Sequence, residues 1–583
     1  MHKKSLLRAF SIALLVVFIH HAATADDGEL DARSGNAILK QYCYKCHGVD
    51  KRYPGLDVTD RATMLQPADE NEDPFLIAGK PDESRILEQI ESNEMPPEGQ
   101  PQLSQEEKGI VREWIDAGAV FPKPQRPQRE FRGEATILAA IQNDLADLPD
   151  DSIPHIRYFS LLHLWNDTQS VDPTKEIDLR LTRAAVSKLI NSLSRRSRVV
   201  APRVVADTDD TLLAIDLRDY GWQAWHWRQL LKQYPYGLKS SGRTAANIYR
   251  VTGTRAPYLR ADWFVAMASR PPLYHDLLGI PKNAKTLEHE LGVDIAENFR
   301  RGQLQRAAFQ KSGVSQQNRM VERHDTDGGA RFYWKSYDVG PGAGEVGDFT
   351  RRPLGPKFEE NTSGRQIATF HHDGGEIIYS LPNGLQAYML VTGEDVRIDT
   401  GPPEVVFDPN SHSGSFLITN GISCMGCHKN GMVKLPEDEI RPLYEEREGQ
   451  IVADKVLRLF PKTSQMRALV NADSQYFLAA VERATGQFLR VGQDADTPIK
   501  EFAEPVTHVA NRYLRDVRVE DAARELGMRD ADALRPLVRM RSLRKLGLAN
   551  WINDGAVISR EQFESAYGRL ARELGQGTPL MFD

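Results

Sequence analysis

Cys43-Tyr44-Lys45-Cys46-His47 and, far downstream, Cys424-Met425-Gly426-Cys427-His428 repeat one five-residue arrangement. Together they use all four cysteines of the 583-residue chain. Two thiols three residues apart, followed at once by an imidazole, suit covalent capture of a haem. Each sulfur forms a thioether to one vinyl group, and the histidine lies under the iron as proximal ligand. A zinc reading wants a second Cys or His pair nearby, and none lies within thirty residues of either pentapeptide. Two such motifs with no thiol left over point to two covalently bound haem c groups. Their attachment residues are Cys43, Cys46, Cys424 and Cys427, and their proximal ligands are His47 and His428.

The sixth positions are read separately. Forty-eight residues beyond His47 stands Met95, in Glu94-Met95-Pro96-Pro97. Two prolines and neighbouring acids make a poor core, so Met95 is read as the second axial ligand of a His/Met haem, whose thioether raises the potential. For the second haem, Met432 follows His428 by four residues, which span at most ~14 Å when extended and must also pass the macrocycle edge. It is therefore disfavoured. His372 is the first choice, with His371, His324, His508 and Met466 behind it. It lies in Phe370-His371-His372-Asp373-Gly374-Gly375, where two imidazoles, an orienting carboxylate and permissive glycines come together. The plainer reading of that stretch is a polar turn.

The elements that must position these residues are mainly helical. Ser34 to Gln41 reads as a helix running into the first motif, and Asp82 to Glu91 as one opened by Pro81. Ser104 and Glu107 form a capping box at the head of a helix to Ala117, with Ile110, Trp114 and Ile115 as its stripe. Pro122 to Pro127 marks a linker. Helices are then expected over Glu134–Leu145, Ile156–Asn166, Leu181–Ser194 and Tyr220–Leu231, the last carrying Trp222, Trp225 and Trp227, with a strand over Leu212–Leu217. From Val321 the texture turns to strand. Asn383-Gly384 between Glu376–Ser380 and Leu385–Val391 predicts a hairpin. Helices resume over Glu437–Glu446, Ile451–Phe460 and Ser474–Thr485. The fold class is mainly α with an α+β middle: residues 26–124 a cytochrome c-like helical domain, 125–410 an α+β middle, 411–583 a helical haem segment.

Several stretches of the first domain carry a resemblance. They are the Cys-x-x-Cys-His-Gly run, Pro54-Gly55-Leu56-Asp57-Val58, Gly79-Lys80-Pro81-Asp82-Glu83-Ser84, Met95-Pro96-Pro97 and Trp114-Ile115-Asp116-Ala117-Gly118-Ala119. Over residues 36–121 the chain resembles the planctomycete-type cytochrome c domain. The resemblance implies a monohaem electron-transfer module on Cys43, Cys46 and His47, with Met95 as second ligand. The whole arrangement is similar to long secreted bacterial proteins that join such a domain to a later Cys-Met-x-Cys-His. That group lends architecture more than function.

The N-terminus reads as a secretory signal. His2, Lys3, Lys4 and Arg8 precede an apolar run over Phe10–Ile19, and Ala23-Thr24-Ala25 offers cleavage before Asp26. The run is short of the ~20 residues a membrane span needs, so a soluble periplasmic or secreted protein is expected. Cleavage removes three basic residues and no acid from a chain of net charge −7. Such an acidic surface steers towards redox partners with basic docking surfaces and away from nucleic acid. A helix-turn-helix-like stretch over Val519–Met528 is accordingly read as packing. Two functions follow as expectations: a dihaem electron carrier, or a dihaem redox enzyme whose second haem has an open sixth site.

Overall fold

The structure, a computed structural model, describes residues 35–47, 56–58, 61–66, 74–97, 100–121, 131–167, 177–240, 242–310, 317–326, 331–340, 349–356, 370–404, 406–528, 531–532, 534–553 and 555–580. The N-terminal stretch read as a secretory signal and the side chain of Cys46 lie outside them. The chain divides after Gln125 into two compact units. The architecture is mainly α with an α+β middle.

The first unit contains α1 (Gly35–His47), α2 (Arg85–Glu91) and α3 (Gln105–Asp116). A Cβ added to Gly35 would lie 2.6 Å from that of Trp114, so the crossing of α1 and α3 has room for glycine alone. Leu39, Ile90, Val111 and Ile115 form part of its core. The expected capping box is present: Glu107 N–H donates to Ser104 Oγ at 3.2 Å, and Ser104 N–H to Glu107 Oε2 at 2.7 Å. In place of one helix from Asp82, the chain makes a 3-10 turn over Pro81–Glu83, then α2. Ser84 separates them, its hydroxyl donating to Lys80 O and accepting from Ile77 N–H.

The second unit begins with α4 (Glu134–Ala146) and a sheet of β1 (Ile156–Ser160), β2 (Arg203–Val204), β3 (Leu212–Asp216) and β4 (Tyr258–Arg260), in the order β2-β3-β1-β4. The helix expected over Ile156–Asn166 is therefore mostly strand. Ile-Arg-Tyr-Phe-Ser is buried along its whole length and pairs with β3 and β4; partners far off in sequence override the local period. The tryptophan helix is also shorter than expected: α6 (Ala224–Gln233) excludes Trp222, because Gly221 at φ +70° ends the preceding turn. Between these elements, α5 (Ile177–Ser192) is buried almost all round. Its charges are paired, as burial demands: Lys188 with Glu504 at 2.7 Å and Arg180 with Asp494 at 2.8 Å.

A six-stranded antiparallel meander follows: β5 (Leu304–Phe309), β6 (Asn318–Asp325), β7 (Phe332–Val339), β8 (Gly374–Ser380), β9 (Gln386–Thr392) and β10 (Arg397–Ile398), each hydrogen-bonded to the next. The predicted hairpin is β8–β9, with Gly384 at φ +96° in its turn. Next come α7 (Ile422–Cys427), α8 (Ile451–Leu459), the 27-residue α9 (Thr463–Leu489) and α10 (Pro505–Tyr513). The helix expected over Glu437–Glu446 is reduced to Arg441–Glu445. Asp438 instead accepts from Ala308 N–H on β5 and from Arg441 N–H. Residues on both sides of position 410 share one apolar core, running from Phe159 to Ala571. Among the described residues no helix is long and apolar enough to cross a membrane.

Candidate functional site

In the first unit, α1 carries Cys43 and ends at His47, whose carbonyl accepts from Val58 N–H at 2.8 Å. That bond folds the chain back directly after the motif. Met95 lies outside the core and is 39 % exposed, held by its own N–H donating to Gln89 O at 3.0 Å.

The second motif sits on α7. Gly421 at φ +86° opens the helix, and a Cβ there would meet Ser269 O at 2.5 Å, so glycine allows close seating on the core. Gly426 works similarly: its Cβ would lie 2.3 Å from the ring of His412. That imidazole lies against the motif, with Nδ1 3.0 Å from the buried Asp408 and 3.8 Å from Cys427 Sγ. Asp408, His412 and Cys427 thereby bring three potential donor atoms within 4.8 Å of one another. Cys424 is not among them, whereas a Cys-x-x-Cys zinc site uses both sulfurs.

His428 is buried, and its Nδ1 lies 3.1 Å from Gly431 O. A neutral ring donating there keeps its remaining nitrogen, Nε2, as the ligand atom. The bond is made by the turn His428–Gly431, closed by Gly431 N–H donating to His428 O at 2.9 Å. Gly431 has φ +96° and passes within 2.7 Å of the Ser474 backbone, measured from an added Cβ.

This motif opens on a cavity of about 450 Å³, within the range of small-ligand and cofactor sites. One wall is α7 and the segment to Pro436, contributing Cys424, Cys427, His428 and Met432. The other is one face of the meander. Register places Arg319 opposite Asp338, Val321 opposite Ser336, and Trp334 opposite Ile378, and alternation turns these side chains to the same side. Glu376 shares that face, with Oε1 3.6 Å from His428 Nε2. Arg319 stands 3.9 Å from Glu376 and is clamped by Asp338 at 2.6 and 2.8 Å.

The electrostatics follow from these contacts. Burial disfavours charge on Glu376, but His428 and Arg319 outweigh it and hold its carboxyl below the usual range. Burial, reinforced by Glu376, pushes the Cys424 thiol well up. Cys427 is pushed up to about 12 by burial, with Glu376 and Asp408 adding to it. Both remain thiols near neutrality, the form that adds across a vinyl group to make a thioether. Arrangement and donor chemistry therefore fit a covalently held haem: two sulfurs at the cavity edge, an oriented imidazole, and opposite them a sheet face on which Val321, Trp334 and Ile378 flank the Arg319–Glu376 pair.

The sequence-predicted residues are only partly brought together. Cys424, Cys427 and His428 line the cavity; His372 does not. Its ring packs edge-on to Tyr337 at 5.1 Å, and Tyr337 points to the face of β7 opposite Trp334, Ser336 and Asp338. His324 lies on that far face, bonded to Asn298 and Glu322. His508 pairs with Asp178 at 3.2 Å, and Met466 is a core residue. His371 is exposed. The glycines beside these histidines serve the sheet: a Cβ on Gly375 would meet Ser336 O at 2.0 Å. Met432, disfavoured on reach, does line the cavity. Sequence reasoning missed Glu376 and Arg319. The available signal was a carboxylate two residues before Ile378, in phase with the buried side of a strand.

Residues 43–99 match the family described as Planctomycete cytochrome C. No curated protein and no solved structure matches the chain. The matched stretch runs from the first cysteine past Met95 and implies covalently bound haem c and haem-based electron transfer. The N-terminal unit thus carries a planctomycete-type cytochrome c domain.

Proposed function

We propose that the protein is a dihaem c-type cytochrome that carries electrons between redox partners outside the cytoplasm. One haem is bound by Cys43, Cys46, His47 and Met95; the second is bound by Cys424, Cys427 and His428. The observation that carries the second assignment is the hydrogen bond from the His428 ring to Gly431 O, which leaves Nε2 directed at a cavity edged by both cysteines. Bound haem c supplies a one-electron couple tuned by its axial ligands and surroundings. The protein's own part is to orient the imidazole, cover the group with the meander, and present an acidic surface to partners. Export follows the leader-like N-terminus.

A second reading, a dihaem redox enzyme, is favoured by the cavity wall. Among the described residues that line it, His428 is the one histidine and Met432 the one methionine, so a strong second nitrogen ligand is not at hand. Mass spectrometry of protein matured in a haem-attaching bacterial host tests the common core of both readings. The expected mass is that of the chain beginning at Asp26 plus two macrocycles. Cys424→Ala/Cys427→Ala should carry one. An increment of a single haem in the parent protein overturns the dihaem assignment.

A further inference from the structure

We infer that Glu376 is the side chain opposite His428 at the second haem site, and that it makes that site an exchangeable, anionic one instead of a sealed electron-transfer centre. The inference rests on the dihaem reading and adds to it the identity of the sixth-side residue.

The geometry begins with the imidazole. Nδ1 is engaged by Gly431 O at 3.1 Å, so Nε2 alone can ligate, and the polar atom it faces is Glu376 Oε1 at 3.6 Å. Glu376 does not stand there by chance of a loop. It belongs to β8, which is paired on both sides, by β7 and by β9, and a strand held in this way fixes its side chains well. The neighbouring cation is fixed as well, because Arg319 reaches Glu376 at 3.9 Å while two bonds tie it to Asp338. An anion and a cation are thus set into the wall that His428 faces.

The competing donors are placed otherwise. Met432 leaves the same wall as His428, and its N–H donates to Ser474 Oγ at 2.9 Å, anchoring the chain on that side. His372 is packed on Tyr337. A carboxylate is a weaker-field donor than imidazole or thioether and yields readily to other ligands. The second haem should accordingly be high-spin when ferric and take an added anion such as cyanide, whereas a His47/Met95 haem should be low-spin and inert.

The test uses the full-length dihaem protein, with electron paramagnetic resonance and visible spectra of the ferric form and a cyanide titration. The expected parent spectrum has one low-spin and one high-spin haem, and cyanide converts only the latter. Glu376→His should turn the high-spin haem low-spin and weaken cyanide binding at least tenfold. Glu376→Gln should shift the high-spin signal with both haems still attached. Met432→Ala should leave the spectrum as it was. Two low-spin haems in the parent, unaltered by Glu376→Gln, overturn the inference while leaving the dihaem reading in place. Conversion of a low-spin haem to high-spin by Met432→Ala overturns it in favour of Met432. A parent mass with one haem overturns both.

Discussion

Asp473 shows how much a single buried charge organises behind the candidate site. Its carboxylate accepts from Arg323 at 2.8 and 3.2 Å and from the Trp334 indole at 2.9 Å. Trp334 lines the cavity. Removing Asp473 leaves Arg323 with the exposed Asp325 at 2.7 Å and strips the buried Trp334 indole N–H of its acceptor, at a cost of about 1–3 kcal/mol. Asp473→Ala is expected to lower unfolding stability by that amount in urea titrations, whereas Asp473→Asn, which keeps an acceptor, should lose less. At this scale the sequence was legible where chemistry fixes spacing: both Cys-x-x-Cys-His motifs could be read directly. Glu376 and Arg319 were not, because a charged residue on a strand reads as solvent-facing until the sheet's partner layer is known.

At the scale of elements, local signals worked best where the interaction is itself local. The Ser104–Glu107 capping box joins residues three apart, and the structure contains it. Ser104→Ala should cost about 1 kcal/mol. Hydrogen exchange is the suitable readout: the amides at the start of α3 should lose roughly fivefold in protection, with those of α5 unaltered. The β8–β9 hairpin was legible for the same reason, since Asn383-Gly384 fixes its turn. Ile156–Ser160 was not, because its identity as strand depends on pairing with Leu212–Asp216 and Tyr258–Arg260. The overcalled helix at Glu437–Glu446 has a similar cause: Asp438 is occupied with an N–H of β5.

For the molecule as a whole, the second unit is tied together by ions remote in sequence. Glu525 accepts from Arg260 at 2.6 Å and from Arg560 at 2.7 Å. Burial works against its charge, but the two guanidinium groups outweigh it and bring its pKa down to about 2. A carboxyl depressed in the folded state lends stability above its ordinary pKa and loses it as pH falls through the folded value. The unfolding free energy should therefore decline between about pH 4.5 and pH 2, by on the order of 3 kcal/mol from this group. In Glu525→Gln the unfolding curves should be flatter over that window and the protein less stable at pH 7. A variant as pH-sensitive as the parent would remove Glu525 as the cause.

Taken alone, the sequence determined the chemistry available to this protein. Covalent haem attachment needs particular residue types at fixed short spacings, and such spacings survive any fold. It likewise determined the N-terminal cytochrome domain, whose identifying residues fall within one short stretch. Only the tertiary structure decided what surrounds His428. Which strand faces the motif depends on tertiary packing, and which side chain of that strand points inward depends on how β8 pairs with β7, Trp334 opposite Ile378; a shift of one residue would exchange Glu376 for Ile377.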